Sequence, residues 1–107
     1  MSAVIAGLDE DDLGEALEAE GVPVVHVDGI ANRPALEEAG ICEATLFVLT
    51  DASQATSIPV ARDLNPDLRI VVYADDSLPE FARPGADLIL DPDALRPEIV
   101  AEELAGV

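Results

Sequence analysis

The feature that most constrains this chain is a regular alternation of short β-branched runs with stretches rich in Ala, Glu and Leu. Such alternation is typical of βα units, in which helices join parallel strands. The third run is uninterrupted and apolar, as expected of a strand buried on both faces of a sheet. The pattern predicts five strands, at Ala3–Leu8, Val24–Asp28, Thr45–Thr50, Arg69–Tyr73 and Asp87–Leu90.

Five helices are predicted to follow the strands. Gly21 and Gly40 are expected to end the first two, because glycine readily adopts the left-handed conformation found there. Pro59 lies inside the third, which predicts a kink or a late start. The predicted helices cover Asp12–Glu20, the residues that follow Asn32 through Ala39, Asp51–Asp63, a short segment capped by Asp76 or Ser77, and Pro97–Leu104.

These elements predict one α/β domain over residues 1–107, a three-layer αβα sandwich with a five-stranded parallel sheet. Crossover connections between parallel strands are right-handed, so two strand orders remain open. A flavodoxin-like sheet would have the order 2-1-3-4-5, and a Rossmann-like half would have 3-2-1-4-5. In either order, a ligand site is expected outside the carboxyl ends of the strands.

The net charge of −18 is extreme for 107 residues, and the chain has no lysine. Like charge of this density opposes compaction in dilute salt, whereas in molar salt the Debye length falls to about 3 Å and screens it. We therefore expect an acidic, halophilic protein whose stability rises with KCl. The basic residues are Arg33, Arg62, Arg69, Arg83 and Arg96.

The charge also limits the partners. Nucleic-acid binding needs a cationic surface that displaces counterions, and five scattered arginines do not form one. No apolar run approaches the length of a membrane span, and no signal peptide is recognisable. We expect a cytoplasmic protein with no nucleic-acid or membrane partner, in which Cys42 packs as a small hydrophobe.

A cofactor site is one interpretation of the first βα turn. The dinucleotide fingerprint G-x-G-x-x-G should join strand one to its helix, and here Gly7 and Gly14 could be its outer glycines. Asp9 stands where the second glycine would admit a pyrophosphate, and Asp28 follows at the distance of a ribose-binding acid. The alternative is that both glycines serve only tight turning and packing. The cofactor stays unknown, with NAD or another nucleotide as candidates.

A phospho-acceptor site is a second interpretation. Receiver domains use acids after strand one, an Asp ending strand three, a Ser or Thr ending strand four and a Lys before Pro after strand five. Here strand three ends in Thr50-Asp51, strand four ends in Tyr73, and Asp91 precedes Pro92. Without the lysine, phosphoryl oxygens lose their counter-charge. This comparison argues against receiver phosphoryl chemistry in this chain.

The acids at the predicted carboxyl edge could also collect a divalent cation through oxygen ligands. In a chain this acidic, clustering is the background state, so we assign no metal ligands and no catalytic residues. His26, the only histidine, alternates with valines along strand two and is expected to be packed or partly exposed. The acids concerned are Asp9, Asp11, Asp12, Asp28, Asp51, Asp75, Asp76, Asp91 and Asp93.

The stretch Val25–Pro92 resembles the NAD-binding N-terminal domain of potassium-uptake and potassium-channel regulators, the TrkA-N or RCK family. That resemblance implies a Rossmann-like regulatory domain that binds NAD and assembles as dimers or larger rings. The whole chain is also similar to small acidic haloarchaeal proteins, some labelled CTP synthetase-like. The matching marks are Asp28, Leu36–Ile41, Ala44, Thr50-Asp51, Ala61–Pro66 and Gly85–Asp87.

Three functional hypotheses follow. The first is a non-enzymatic regulatory or sensor domain that binds a nucleotide weakly through Gly7, Asp9, Gly14, Asp28, Thr50 and Asp51. The second is a protein-interaction module of pseudo-receiver type with no small ligand, for which a homodimer and a separate protein partner both stay open. The third is a small metal-dependent enzyme that uses the acidic edge.

Overall fold

The computed structural model describes residues 1–75 and 77–106 and contains one five-stranded, fully parallel sheet. The strand order is β2-β1-β3-β4-β5, which is the flavodoxin-like order and not the Rossmann-like alternative. The strands are β1 (Ala3–Ala6), β2 (Val24–Val27), β3 (Leu46–Leu49), β4 (Arg69–Tyr73) and β5 (Leu88–Leu90).

Helices cover both faces of the sheet, so the predicted αβα sandwich is confirmed. The α1 and α4 helices pack on one face through Leu13, Leu17 and Leu104. The α2 and α3 helices pack on the other, where Leu36 and Ile58 are fully buried. The helices are α1 (Leu13–Ala19), α2 (Arg33–Glu38), α3 (Ser57–Leu64) and α4 (Pro97–Ala105).

Helix boundaries follow local chemistry. Asn32 caps α2 by accepting a hydrogen bond from the Ala35 amide at 3.0 Å, with Pro34 in the first turn. The predicted third helix starts late, since Ala52–Gln54 forms a 3₁₀ helix and α3 begins at Ser57, with Pro59 in its first turn. Proline is tolerated there because the first amides of a helix have no intrahelical partner.

The connection from β4 to β5 differs from the prediction. Asp76, one of its two expected caps, lies outside the described residues. Residues 77–82 form no helix, and a 3₁₀ helix at Arg83–Gly85 is the regular element of this connection. Proline at positions 79 and 84 removes two backbone donors within six residues, which leaves too few bonds to hold an α-helical segment together.

The amino-terminal edge of the sheet is tied together by side chains. Arg62 of α3 donates to the backbone oxygens of Leu68 and Gly85 and to Asp87 Oδ2. Asp87 Oδ2 also accepts the Ile70 amide at 2.7 Å. Although partial burial acts to raise it, the Ile70 amide and the Arg62 guanidinium hold the pKa of Asp87 below its usual value.

Two further features concern the chain as a whole. Within the described residues, no helix is both long and apolar enough to cross a membrane.

Cys42 is exposed, so its expected packing as a small hydrophobe is wrong. It lies in the irregular segment before β3, outside the two buried clusters.

Candidate functional site at the carboxyl edge

The carboxyl ends of β1 and β3 meet through Gly7 and Thr50. Gly7 has φ +100°, and a Cβ added there would lie 2.4 Å from Thr50 Oγ1. The Thr50 hydroxyl lies 2.6 Å from the Leu8 carbonyl oxygen, to which it donates, and 3.2 Å from that of Ala6. Gly7 is therefore required by a left-handed backbone and by the close approach of a neighbouring strand.

Asp9 binds the beginning of α1. Its Oδ1 accepts the Leu13 amide and its Oδ2 accepts the Gly14 amide, each at 2.8 Å. Asp12, the residue next to the helix, has φ 57° and makes no side-chain cap. Two of the first-turn amides that could meet a phosphate at this helix terminus are thus already bonded to a carboxylate of the same chain.

Gly14 admits two side chains to the start of α1. An added Cβ would lie 2.9 Å from Asp9 Oδ2 and 2.9 Å from His26 Nε2. The glycine is needed so that the capping carboxylate and the exposed imidazole can both approach the helix backbone. The interpretation of Gly14 as a packing glycine, left open by the sequence, thus has a structural basis in Asp9 and His26.

Asp28 follows β2, the outer strand of the sheet, and is exposed. It lines a shallow depression beside α2 together with Val25, Glu38 and Ala39. The junction of β1 with β3 instead contains Gly7, Thr50 and Asp51. The six residues predicted to bind a cofactor therefore fall into three groups: the β1–β3 junction, the α1 terminus with Asp9 and Gly14, and Asp28 at the edge. Their cofactor binding stays a prediction.

Asp51 faces the main cleft of this edge. Its Oδ1 accepts from the Ser53 hydroxyl at 2.6 Å and from the Ser53 amide at 2.9 Å. These hydrogen bonds, helped by Gln54, hold the pKa of Asp51 below its usual value. The carboxylate is therefore kept charged by its own loop.

The cleft is strongly acidic and has a volume of about 460 Å³. Five of its ten lining residues are carboxylic acids and none is basic. The Tyr73 hydroxyl donates to the Leu95 carbonyl at 2.7 Å, and burial, with Asp11 and Glu98 nearby, raises its pKa. The lining residues are Leu8, Glu10, Asp11, Thr50, Asp51, Tyr73, Ala74, Asp75, Pro92 and Asp93.

The acids are close in the chain but do not converge as metal ligands do. Across residues 1–75 and 77–106, no three His, Cys, Asp or Glu side chains are grouped so that they could hold one ion. Of the acids that the sequence placed at this edge, Asp76 lies outside the described residues. Asp9 accepts backbone amides with both carboxylate oxygens, and Asp51 accepts one with Oδ1.

The chain belongs to a family of unknown function, DUF7126, whose sequence model matches residues 3–104. No curated protein sequence matches it significantly. In three dimensions it is similar to an orphan response regulator of H. pylori, with a TM-score of 0.73 and 12% identity over 99% of this chain and 94% of that one.

Two further solved structures share the fold. A protein of Burkholderia thailandensis described as a pilus assembly protein has a TM-score of 0.69 and 17% identity, over 99% of this chain and 98% of that one. A response regulator of Burkholderia pseudomallei, solved with a phosphorylated aspartic acid, a calcium ion and citrate, has a TM-score of 0.67 and 21% identity. The alignment spans 98% of this chain and 71% of that protein. The common feature is the receiver-like fold.

The resemblance to the TrkA-N or RCK family is therefore wrong, because the matching family is another one and the structural neighbours are receiver-like. The marks that suggested it, such as Leu36–Ile41 and Ala61–Pro66, are helix ends followed by the approach to the next strand. Every doubly wound sheet needs such segments. The nucleotide-binding function and the CTP synthetase-like label have no support from these comparisons either.

Proposed function

We propose that this protein is a non-enzymatic regulatory domain of receiver-like form that acts through contacts with other proteins. It does so without phosphoryl transfer and without a bound nucleotide. The observation that carries the proposal is the Asp9 carboxylate, which accepts both the Leu13 and the Gly14 amide at 2.8 Å. A nucleotide phosphate at this turn would have to displace the Asp9 carboxylate from both of these amides.

The acidic cleft supports the same proposal. A phosphoryl group on Asp51 would carry about −1.5 to −2 charge units in place of the −1 of the free carboxylate. It would face Glu10, Asp11 and Asp75, with no basic residue among the lining side chains. Asp91, next to Pro92, takes the position where a receiver domain has its lysine. The acids after strand one are present, but the hydroxyl residue that should end strand four is replaced by Tyr73, and the lysine by Asp91.

The first test is a ligand screen in molar KCl. NAD, NADH, ATP, ADP and CTP should leave the melting temperature unchanged. Saturation at 100 times the dissociation constant would add about 2.7 kcal/mol, a shift of several degrees for a domain this size. A reproducible shift with any one nucleotide would refute the ligand-free part of the proposal.

The second test addresses phosphoryl transfer. Incubation with acetyl phosphate and Mg²⁺, followed by intact-mass measurement, should give no phosphorylated species in the wild type. Asp51→Asn is the matched control for adventitious labelling. A phosphorylated wild type beside an unlabelled Asp51→Asn variant would show that receiver chemistry persists.

The third test addresses the partner. Cross-linking in cell extracts kept at molar KCl should recover the same protein with the wild type and with Asp51→Asn, because the interaction does not require the acceptor carboxylate. Recovery that depends on Asp51, or the absence of a specific partner in both samples, counts against an interaction module of this type.

A further inference from the structure

The α3 helix borders an apolar groove that the fold leaves uncovered. The groove has a volume of about 470 Å³, and Phe81 at its rim is 61% exposed. The lining residues are Ile58, Pro59, Arg62, Asp63, Pro66, Phe81, Ala82 and Gly85.

The groove is electrically neutral in a chain of net charge −18. Arg62 and Asp63 are the two charged residues of its lining. Each is already paired within the chain, Arg62 with Asp87 at 3.0 Å and Asp63 with Arg33 at 2.8 Å. Covering the groove therefore leaves neither charge without its counter-ion, which is the condition under which buried charges are tolerated.

We propose that the chain forms a homodimer through this groove, with Phe81 of each protomer seated in the groove of the other. A two-fold interface must be self-complementary, and here the protruding aromatic ring and the apolar recess belong to one patch. Exposed aromatic side chains that enter pockets are the residues that most often dominate binding energy. This inference goes beyond the proposed function and does not depend on it.

The distribution of charge favours a second copy of the chain, and not a basic partner, as the occupant of the groove. Two copies of so acidic a chain repel each other except where acids are balanced, and three of the five arginines lie at or beside this groove: Arg33, Arg62 and Arg83. A cationic partner would instead be drawn to the acidic cleft at the other edge of the sheet. Molar salt screens the remaining repulsion.

The test is sedimentation equilibrium in molar KCl, with the wild type expected to be a reversible dimer. Phe81→Ala should raise the dimer dissociation constant by about thirtyfold or more. Pro59→Glu, which puts a charge on the opposite wall at an exposed position in the first turn of α3, should have a similar effect. Both residues are exposed, so the melting temperature of the monomer should change little, which thermal denaturation checks.

Two controls make the outcome decisive. Leu8→Ala removes an apolar side chain that is 76% exposed at the acidic cleft, and Ile99→Ala removes one that is 42% exposed on α4. Both should dimerise as the wild type does. A monomeric wild type, a dimer insensitive to Phe81→Ala, or a dimer weakened equally by Leu8→Ala or Ile99→Ala would overturn the proposal. The last result would indicate non-specific association or a different face.

Discussion

The two edges of the sheet use polar residues in opposite ways. At the amino-terminal edge, Arg62 and Asp87 bond to the backbone of β4 and of the segments beside it. At the carboxyl edge, the acids of the cleft have no basic neighbour in its lining. The polar residues of the amino-terminal edge therefore stabilise the fold, whereas the acids of the carboxyl edge repel one another and destabilise it. The comparison shows that the acidity of this protein has local roles as well as a global one.

Salt should have the largest effect, because it acts on the uncompensated edge. Transfer from molar to millimolar KCl should remove several kcal/mol of a stability that is roughly 5–15 kcal/mol for such domains. The double variant Asp11→Asn, Asp75→Asn should lose less than the wild type. Denaturant titrations at a series of KCl concentrations measure both. A flat salt response would contradict the halophilic interpretation.

Removing Arg62 should have the next largest effect. Arg62→Met keeps much of the aliphatic part of the side chain. It removes the hydrogen bonds that the guanidinium donates to backbone carbonyl oxygens, and it leaves Asp87 without its ion pair. We expect a loss of about 2–4 kcal/mol in the free energy of unfolding. Arg33→Met, at the more exposed pair with Asp63, is the matched control and should cost about 0.5 kcal/mol or less. Equal losses in the two variants would remove the distinction between the edges.

Gly7 tests how tightly the carboxyl edge is built. Gly7→Ala combines an unfavourable φ with a clash against Thr50 Oγ1, so we expect a loss of about 2–3 kcal/mol. Gly29→Ala also has a positive φ, +77°, but an added Cβ meets nothing within 4 Å. It should cost about 1 kcal/mol, from backbone strain alone. Chemical denaturation in molar KCl separates the two contributions, and similar losses would mean that the β1–β3 junction can relax.

Asp9 should contribute less, as a helix cap. Asp9→Ala frees the Leu13 and Gly14 amides, and the expected loss is about 1 kcal/mol. Asp12→Asn is a useful control, because Asp12 makes no side-chain cap and asparagine tolerates its left-handed φ of 57° as well as aspartate does. If Asp9→Ala is neutral or stabilising, the carboxylate is not held for structural reasons, and the argument against a phosphate at this turn fails.

The pH dependence should show the smallest effect. The folded pKa of Asp87 is lowered, so its stabilising contribution is complete above the unfolded value of about 3.9 and is lost as the pH falls through the folded pKa. The Asp87→Asn variant has no carboxyl to protonate at this position, so it does not lose this stabilising contribution as the pH falls. The difference in unfolding free energy between wild type and variant should therefore shrink below about pH 4 and stay constant above about pH 5. A difference that varies instead near neutral pH would exclude this carboxyl as its source.

The local elements were predictable because their signals are local. The apolar run of β3, the Asn32 cap with Pro34 behind it, and the late start of α3 before Pro59 depend on residues within one turn or one strand. The prediction of a helix after β4 was wrong, although the two prolines that oppose it, Pro79 and Pro84, are equally local signals. Asp51 and Thr50 were likewise expected at the carboxyl edge, because parallel strands end there together.

The tertiary structure alone decided which carboxylates have which role. Nothing local shows that Asp9 reaches two helix amides, that Gly14 makes room for His26, or that Arg62 and Asp87 meet across 25 residues. The strand order also depended on tertiary packing. By itself the sequence determined the fold class and the charge, because hydrophobic periodicity and composition act through near neighbours. Contacts between distant residues depend on how the layers pack, and they distinguish the capping Asp9, the paired Asp87 and the solvent-facing acids of the cleft.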